Sequence, residues 1–133
     1  MMEKLTVTEK ALIDSATEII KLNFDRKNLN HTVGAAVRYT NGNVYSGVNV
    51  SSIHEACAEV IAIGNAISCG ERDFECIVAI GRDNSDKVYS PCGNCRQFIL
   101  EYAPNCHVIV ETEAGIKKSR ITSLVPYAYH RPE

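Results

Sequence analysis

Two short cysteine motifs, each at the head of an apolar helical run, restrict this chain more than any other feature. The first is Cys57-Ala58-Glu59 and the second is Pro91-Cys92-Gly93-Asn94-Cys95. Three thiols in that pattern, with a carboxylate two positions past the first, suit a catalytic zinc site of three protein ligands and an open position for water. Any fold that satisfies the pattern must bring two helix starts to one point. Positive helix ends and free backbone N–H groups favour thiolates, so lowered thiol pKa values are expected there. Glu59 is the proton carrier that such a site needs. Three thiolates outweigh Zn²⁺ by one negative charge. Arg96, directly after Cys95, is the side chain expected to offset it, with a solvated helix residue as its plainer reading.

The order of local signals supplies a framework for those helices. Thr6 and Glu9 form a capping-box pattern, and Leu12, Ile13, Ala16, Ile19, Ile20 and Phe24 recur at helical spacing, which predicts a first helix from about Thr8 to Asn23. Runs from Val33 to Tyr39 and from Val44 to Val50 flank Asn41-Gly42 and predict an antiparallel hairpin. A helical run follows from Ala56 to Ser68, ended by Gly70, and then a short apolar strand from Cys76 to Gly81. Pro91 precedes a helix from about Gly93 to Tyr102, and a strand from Cys106 to Glu111 comes next. Ser119 to Leu124 reads as a short last helix. The alternation of strand and helix implies parallel pairing with right-handed crossovers. With 133 residues and no linker or low-complexity tract, the chain reads as one α/β domain, residues 1–133.

Composition excludes more than it assigns. A formal net charge of −2 and the lack of Trp give no basic, aromatic surface for a polynucleotide. No run of apolar residues is long enough to span a membrane, and the residues around Glu3, Lys4, Thr6 and Thr8 lack a signal-peptide core, so a cytoplasmic protein is expected. Six cysteines then indicate reduced thiols or a metal site, not a disulfide framework. Cys69, Cys76 and Cys106 lie in apolar surroundings and read as small core residues.

The cysteine motifs, with Val33-Gly34-Ala35-Ala36, Gly47-Val48-Asn49, Ser90-Pro91-Cys92-Gly93, Cys95-Arg96-Gln97 and Leu124-Val125-Pro126, resemble the cytidine deaminases over nearly the whole chain. The resemblance implies a three-layer α/β/α fold with a mixed five-stranded sheet, an N-terminal antiparallel hairpin followed by parallel strands. It implies one zinc ion per chain, a small nucleoside substrate and a homotetramer. It also implies a reaction in which water attacks C4 of a cytosine ring, Glu59 carries the proton to N3, and ammonia leaves. On the same grounds the Ala58 N–H meets the base carbonyl, the Ser90 carbonyl meets the departing amine, and Asn49 holds a sugar hydroxyl.

Several positions depart from that pattern. Cytidine deaminases usually carry a Glu two residues after the strand Asn, where this chain has Ser51. They carry an Arg after the catalytic Glu, where this chain has Val60, and a Phe where it has His31. The stretch from Asn49 to Cys57 is also shorter than is typical. These departures, with Cys76 to Gly81 and the ending Leu124 to Tyr129, resemble the blasticidin S deaminases, which act on a cationic cytosine nucleoside antibiotic. That comparison makes His31 and Tyr129 candidate substrate contacts. Lys87 reads as facing a substrate carboxylate or as a solvated loop charge.

Two other classes fit parts of the pattern. Cys92 and Cys95 form a C-x-x-C at a helix start, as in thiol-disulfide oxidoreductases, but that reading leaves Cys57 and Glu59 without a role. A closed structural zinc module would need a fourth ligand, for which His54 and His107 are the available imidazoles.

Overall fold

The computed structural model describes residues 4–81 and 87–132. Helix α1 spans Val7–Asn23 and strands β1 and β2 span Val33–Tyr39 and Val44–Val48. Helix α2 (Ala58–Ser68), strand β3 (Phe74–Gly81), helix α3 (Gly93–Tyr102), strands β4 (His107–Thr112) and β5 (Gly115–Arg120), and the one-turn helix α4 (Ile121–Leu124) follow. The strands form one mixed sheet in the order β2-β1-β3-β4-β5.

Local chemistry explains where the elements begin and turn. Glu9 accepts hydrogen bonds from the Thr6 backbone N (2.9 Å) and hydroxyl (2.8 Å), which closes the start of α1 as the capping-box pattern predicts. The hairpin is a three-residue connection, Thr40 to Gly42, and not a two-residue turn. Tyr39 N donates to the Asn43 carbonyl and Gly42, at φ 95°, donates back to Tyr39. That φ suits glycine, so the Asn-Gly signal marks the left-handed position of a longer loop.

Pairing follows the expected hairpin but then diverges from a run of parallel strands. β1 pairs antiparallel with both β2 and β3, and β3 pairs parallel with β4. Strand β5 is antiparallel to β4 and occupies residues where the sequence shows no strand signal. Ile116 is the only large apolar residue in Gly115–Arg120, and Lys117, Lys118 and Arg120 suit an edge strand that must not recruit another chain. Ser119 and Arg120 therefore end a strand, and the last helix shrinks to Ile121–Leu124.

The two sheet faces carry separate cores. Leu12, Ala16 and Ile20 of α1 pack with Ala36, Val78, Ile80 and Ile109 on one face. On the other, Ala58, Ala62 and Ile63 of α2 and Ile99 of α3 pack with Ala35, Val37, Ile77 and Val108. Cys76 and Cys106 are buried in these cores as expected, but Cys69 is exposed because it caps the C-terminus of α2. Gly47 of β2 lets α2 approach closely: a Cβ there would lie 2.7 Å from Ile61 Cγ2 and 2.8 Å from the Ala62 backbone N. The sheet therefore fixes the height of α2, and with it the position of Cys57.

Candidate active site

Helices α2 and α3 begin beside each other, and each begins on a cysteine. Cys57 is the N-cap of α2 and Cys92 the N-cap of α3, both in extended conformation, while Cys95 follows in the first turn of α3. The three Sγ atoms all lie within 4.8 Å of one another, and Cys57 Sγ is 3.9 Å from Cys92 Sγ. Tetrahedral zinc with Zn–S bonds near 2.3 Å needs sulfur separations of about 3.8 Å, so the thiols present fit that ion. No His, Asp or Glu joins this cluster among the described residues. His54 lies in the exposed 51–55 loop and His107 on β4, and neither supplies the fourth ligand that a closed structural site requires. Among the described residues nothing takes the fourth position, which suits water or substrate.

Electrostatics at the thiols is less uniform than helix ends alone would dictate. Burial pushes Cys95 strongly up, aided by the charges of Glu59 and Cys57. Cys57 is also raised by burial and by the neighbouring Cys92. Only Cys92 is lowered: burial opposes ionisation, but the Cys95 and Asn94 backbone N–H groups and the neighbouring thiols outweigh it. The expectation of lowered pKa values at all three cysteines is therefore corrected for Cys57 and Cys95. Crowding like charges in a dry site outweighs the helix ends, and a bound cation is what would reverse it.

Glu59, on the first turn of α2, is only 6% exposed. Burial raises its carboxyl above the ordinary range, and a hydrogen bond with the Cys95 thiol partly offsets this. A carboxyl raised above its ordinary range holds a proton more readily than an exposed one, as a proton carrier must.

The thiols and Glu59 line a cavity of about 270 Å³. Val33, Asn49, Ala58 and Ser90 line it, so four of the positions singled out from sequence, Asn49, Ala58, Ser90 and Glu59, meet the cysteines in one pocket. Asn49 is held firmly: its Oδ1 accepts from Val33 N (3.0 Å) and its Nδ2 donates to the Thr32 hydroxyl (3.2 Å). His31 stands behind it. At φ 51°, its Nδ1 donates to the Asn49 carbonyl at 2.8 Å, and it is not among the residues lining the cavity. Tyr129 lies elsewhere, on the C-terminal tail, where its carbonyl accepts from Gln97 Nε2 and it lines a separate hollow with Leu100 and Arg131.

Arg96 is held by two backbone carbonyls. Its Nε donates to the Pro91 carbonyl (2.9 Å) and its Nη1 to the Leu124 carbonyl (3.1 Å). It fastens the loop that leads into Cys92 to the end of α4. Lys87 pairs with Glu111 at 3.2 Å between two half-exposed side chains, the plainer of its two readings.

Two pocket residues escaped the sequence reading. Glu55 and Tyr89 both line the cavity. Their nearness in sequence to Cys57 and Ser90 was the available signal, but adjacency alone does not say which way a loop side chain turns.

An α/β/α sheet that presents three thiols and one buried carboxylate at paired helix starts defines a zinc-dependent hydrolytic deaminase. Residues 7–111 match the family described as the cytidine and deoxycytidylate deaminase zinc-binding region. The chain belongs to that family, and it binds one Zn²⁺ through Cys57, Cys92 and Cys95. Among curated relatives it is 40% identical over 129 residues to a blasticidin-S deaminase of Bacillus cereus, covering 90% of this chain and 91% of that one. It is 29% identical over 106 residues to the cytidine deaminase of Sporosarcina psychrophila, covering 76% of each. Among solved structures, the cytidine deaminase of Burkholderia pseudomallei is 28% identical with a TM-score of 0.75, covering 94% of this chain and 100% of that one. The cytidine deaminase of Mycobacterium tuberculosis is 25% identical with a TM-score of 0.77, covering 95% and 100%.

Proposed function

We propose that this chain deaminates the cytosine ring of a nucleoside antibiotic of the blasticidin S type. The observation that carries the reading is the span of the likeness. Identity to the Bacillus cereus blasticidin-S deaminase reaches 40% over nearly both full lengths, whereas the cytidine deaminase of Sporosarcina psychrophila aligns over about three quarters of each chain. Ser51, Val60 and His31, where this chain leaves the cytidine deaminase pattern, point the same way.

Zinc, when bound, supplies a Lewis acid that makes water acidic at neutral pH. The side chains do the rest of the work. Glu59, buried and raised, takes a proton from the attacking water, gives it to ring N3, and carries the second proton to the departing amine. The Ala58 N–H, first in α2, is the donor assigned to the base carbonyl, and the Ser90 carbonyl the acceptor assigned to the amine. Asn49 is assigned the sugar-side contact, with His31 steadying its backbone from behind. Arg96 is a positioning residue for the Pro91–Cys92 loop.

The reading extends to context. We take residues 1–133 as one deaminase domain working in the cytoplasm as a homotetramer; no helix among the described residues is long and apolar enough to cross a membrane. Tyr129 then belongs to substrate only if a neighbouring copy receives it, and a monomeric mass in solution would sink both assignments.

Free cytidine or deoxycytidine is the second reading, favoured by the cytidine deaminase structures that match the fold end to end. The ultraviolet change on deamination, followed for the zinc-loaded protein with cytidine, deoxycytidine and blasticidin S, separates them. Turnover of blasticidin S that is lost in Glu59→Gln supports the proposal. Turnover confined to cytidine or deoxycytidine overturns it in favour of the second reading.

A further inference from the structure

The mouth of the active-site cavity carries a charge that the reaction does not use. Glu55 lines the pocket together with Glu59 and the three cysteines, and no Lys, Arg or His lines it among the described residues. Glu59 is spoken for by proton transfer. Glu55, exposed where Glu59 is buried, is free to meet the part of a substrate that projects out of the pocket.

Its placement is built. Val50 and Ala56 form an isolated two-bond bridge, Val50 N to the Ala56 carbonyl at 2.9 Å and Ala56 N to the Val50 carbonyl at 3.0 Å. This bridge pinches residues 51–55 into a closed loop directly before Cys57, and His54 N is held to the Ser52 hydroxyl inside it. Across the loop the Ser51 hydroxyl donates to Glu55 Oε1 at 2.9 Å. Glu55 Oε2 takes no hydrogen bond from the described residues, so among them one oxygen is held and the other is not. Tyr89, whose ring lies across Gly81, also lines the cavity and brings no charge.

The sum of charges decides what such a mouth admits. Three thiolates around one Zn²⁺ leave a net negative charge at the thiol cluster, and Glu55 adds another at the rim. A substituent bearing a hydroxyl or an ammonium or guanidinium group gains there. A phosphate monoester meets two like charges and, among the described residues, no counter-cation in the lining.

We propose that Glu55 is the residue that ranks substrates by charge, favouring cytosine nucleosides with a cationic or hydroxyl-bearing sugar side and rejecting their 5′-monophosphates. The assignment rests on the reading of the chain as a cytosine nucleoside deaminase. Its force is electrostatic and at an exposed rim, so it is modest and salt-sensitive.

The test is the ratio of kcat/KM values for blasticidin S, cytidine and cytidine 5′-monophosphate, measured on the zinc-loaded protein and on Glu55→Gln, Glu55→Lys and Glu55→Asp. In Glu55→Gln the cytidine to monophosphate ratio falls about fivefold, the upper end for an exposed charge contact, and it falls further in Glu55→Lys. Where blasticidin S is turned over, its advantage over cytidine shrinks in the same order. The change resides in KM, fades as ionic strength rises, and is largely absent from Glu55→Asp. A structural effect of the loop would lower all three substrates together and leave the ratios and their salt dependence alone, which overturns the assignment. A parent protein that deaminates no cytosine nucleoside overturns the proposed function and takes this inference with it. A parent that deaminates them, with ratios unchanged in Glu55→Gln, overturns the role of Glu55 alone.

Discussion

Gly47→Ala joins the fold to the chemistry in one atom. The added Cβ would lie 2.7 Å from Ile61 Cγ2, 2.8 Å from the Ala62 backbone N and 3.1 Å from the Ile61 carbonyl carbon. Comfortable contact needs about 3.5 Å or more, so α2 must retreat by roughly half an ångström or more. A methyl group can rotate away, but the Ala62 nitrogen moves only with its helix. Overpacking of this kind costs about 1–3 kcal/mol, which at a few degrees per kcal/mol lowers Tm by about 4–12 °C. The same helix carries Cys57 at its N-cap and Glu59 in its first turn, so the retreat also opens the thiol cluster. Misplacement on that scale costs up to about 10²-fold in turnover. Gly34→Ala provides the control. Its Cβ would press 2.7 Å from the Ala16 carbonyl and 2.8 Å from Ile20 Cβ, both on α1, which bears no residue of the pocket. Thermal melts, zinc per chain and turnover per zinc should be measured on both. Both variants lose Tm, but only Gly47→Ala loses zinc and turnover per zinc. If Gly47→Ala melts early yet turns over normally per zinc, the seating of α2 does not set the site and the reasoning fails.

Further predictions follow from the electrostatics and the clamps. Glu59→Gln keeps zinc, measured by metal analysis, and loses about 10²–10⁴-fold in turnover. In the metal-free protein, burial raises Glu59, so the folded state holds this proton better than the unfolded chain does and its stability falls as pH rises from the ordinary carboxylate range through the raised pKa. Metal-free Glu59→Gln therefore melts above metal-free parent at pH 7, and the gap closes near pH 4; a constant gap contradicts the burial argument. Cys57 and Cys95 are raised and hold their protons before metal arrives. Zinc loading at pH 7 should thus release two or more protons per chain, read by calorimetry in buffers of different ionisation enthalpy, and release of one or none argues against thiolate ligation by all three. Arg96→Ala frees the Pro91 and Leu124 carbonyls and should cost about 1.5–3 kcal/mol in denaturant unfolding, with weaker zinc retention. Arg96→Lys should recover less than half, because an ammonium lacks the fork that spans two carbonyls.

What the sequence determined by itself is whatever neighbours along the chain decide. The Thr6–Glu9 cap, the hairpin turn, the start of α3 at Gly93 and the cysteines at helix starts depend on residues a few positions apart, and they are legible for that reason. So is the class of chemistry, since two helix starts bearing thiols and a carboxylate have few other uses. Only the tertiary structure decided that β3 lies antiparallel to β1, and that a polar segment completes the sheet as β5 because β4 offers it an edge. It alone set Arg96 on two carbonyls, put Tyr129 in a different hollow from the pocket, and brought Glu55 and Tyr89 into the wall. The thiol pKa values divide for the same reason: a helix end acts through its own first turn, but desolvation and repulsion from a second helix are set by how closely α2 and α3 meet, and that distance is a property of packing and not of any stretch of sequence.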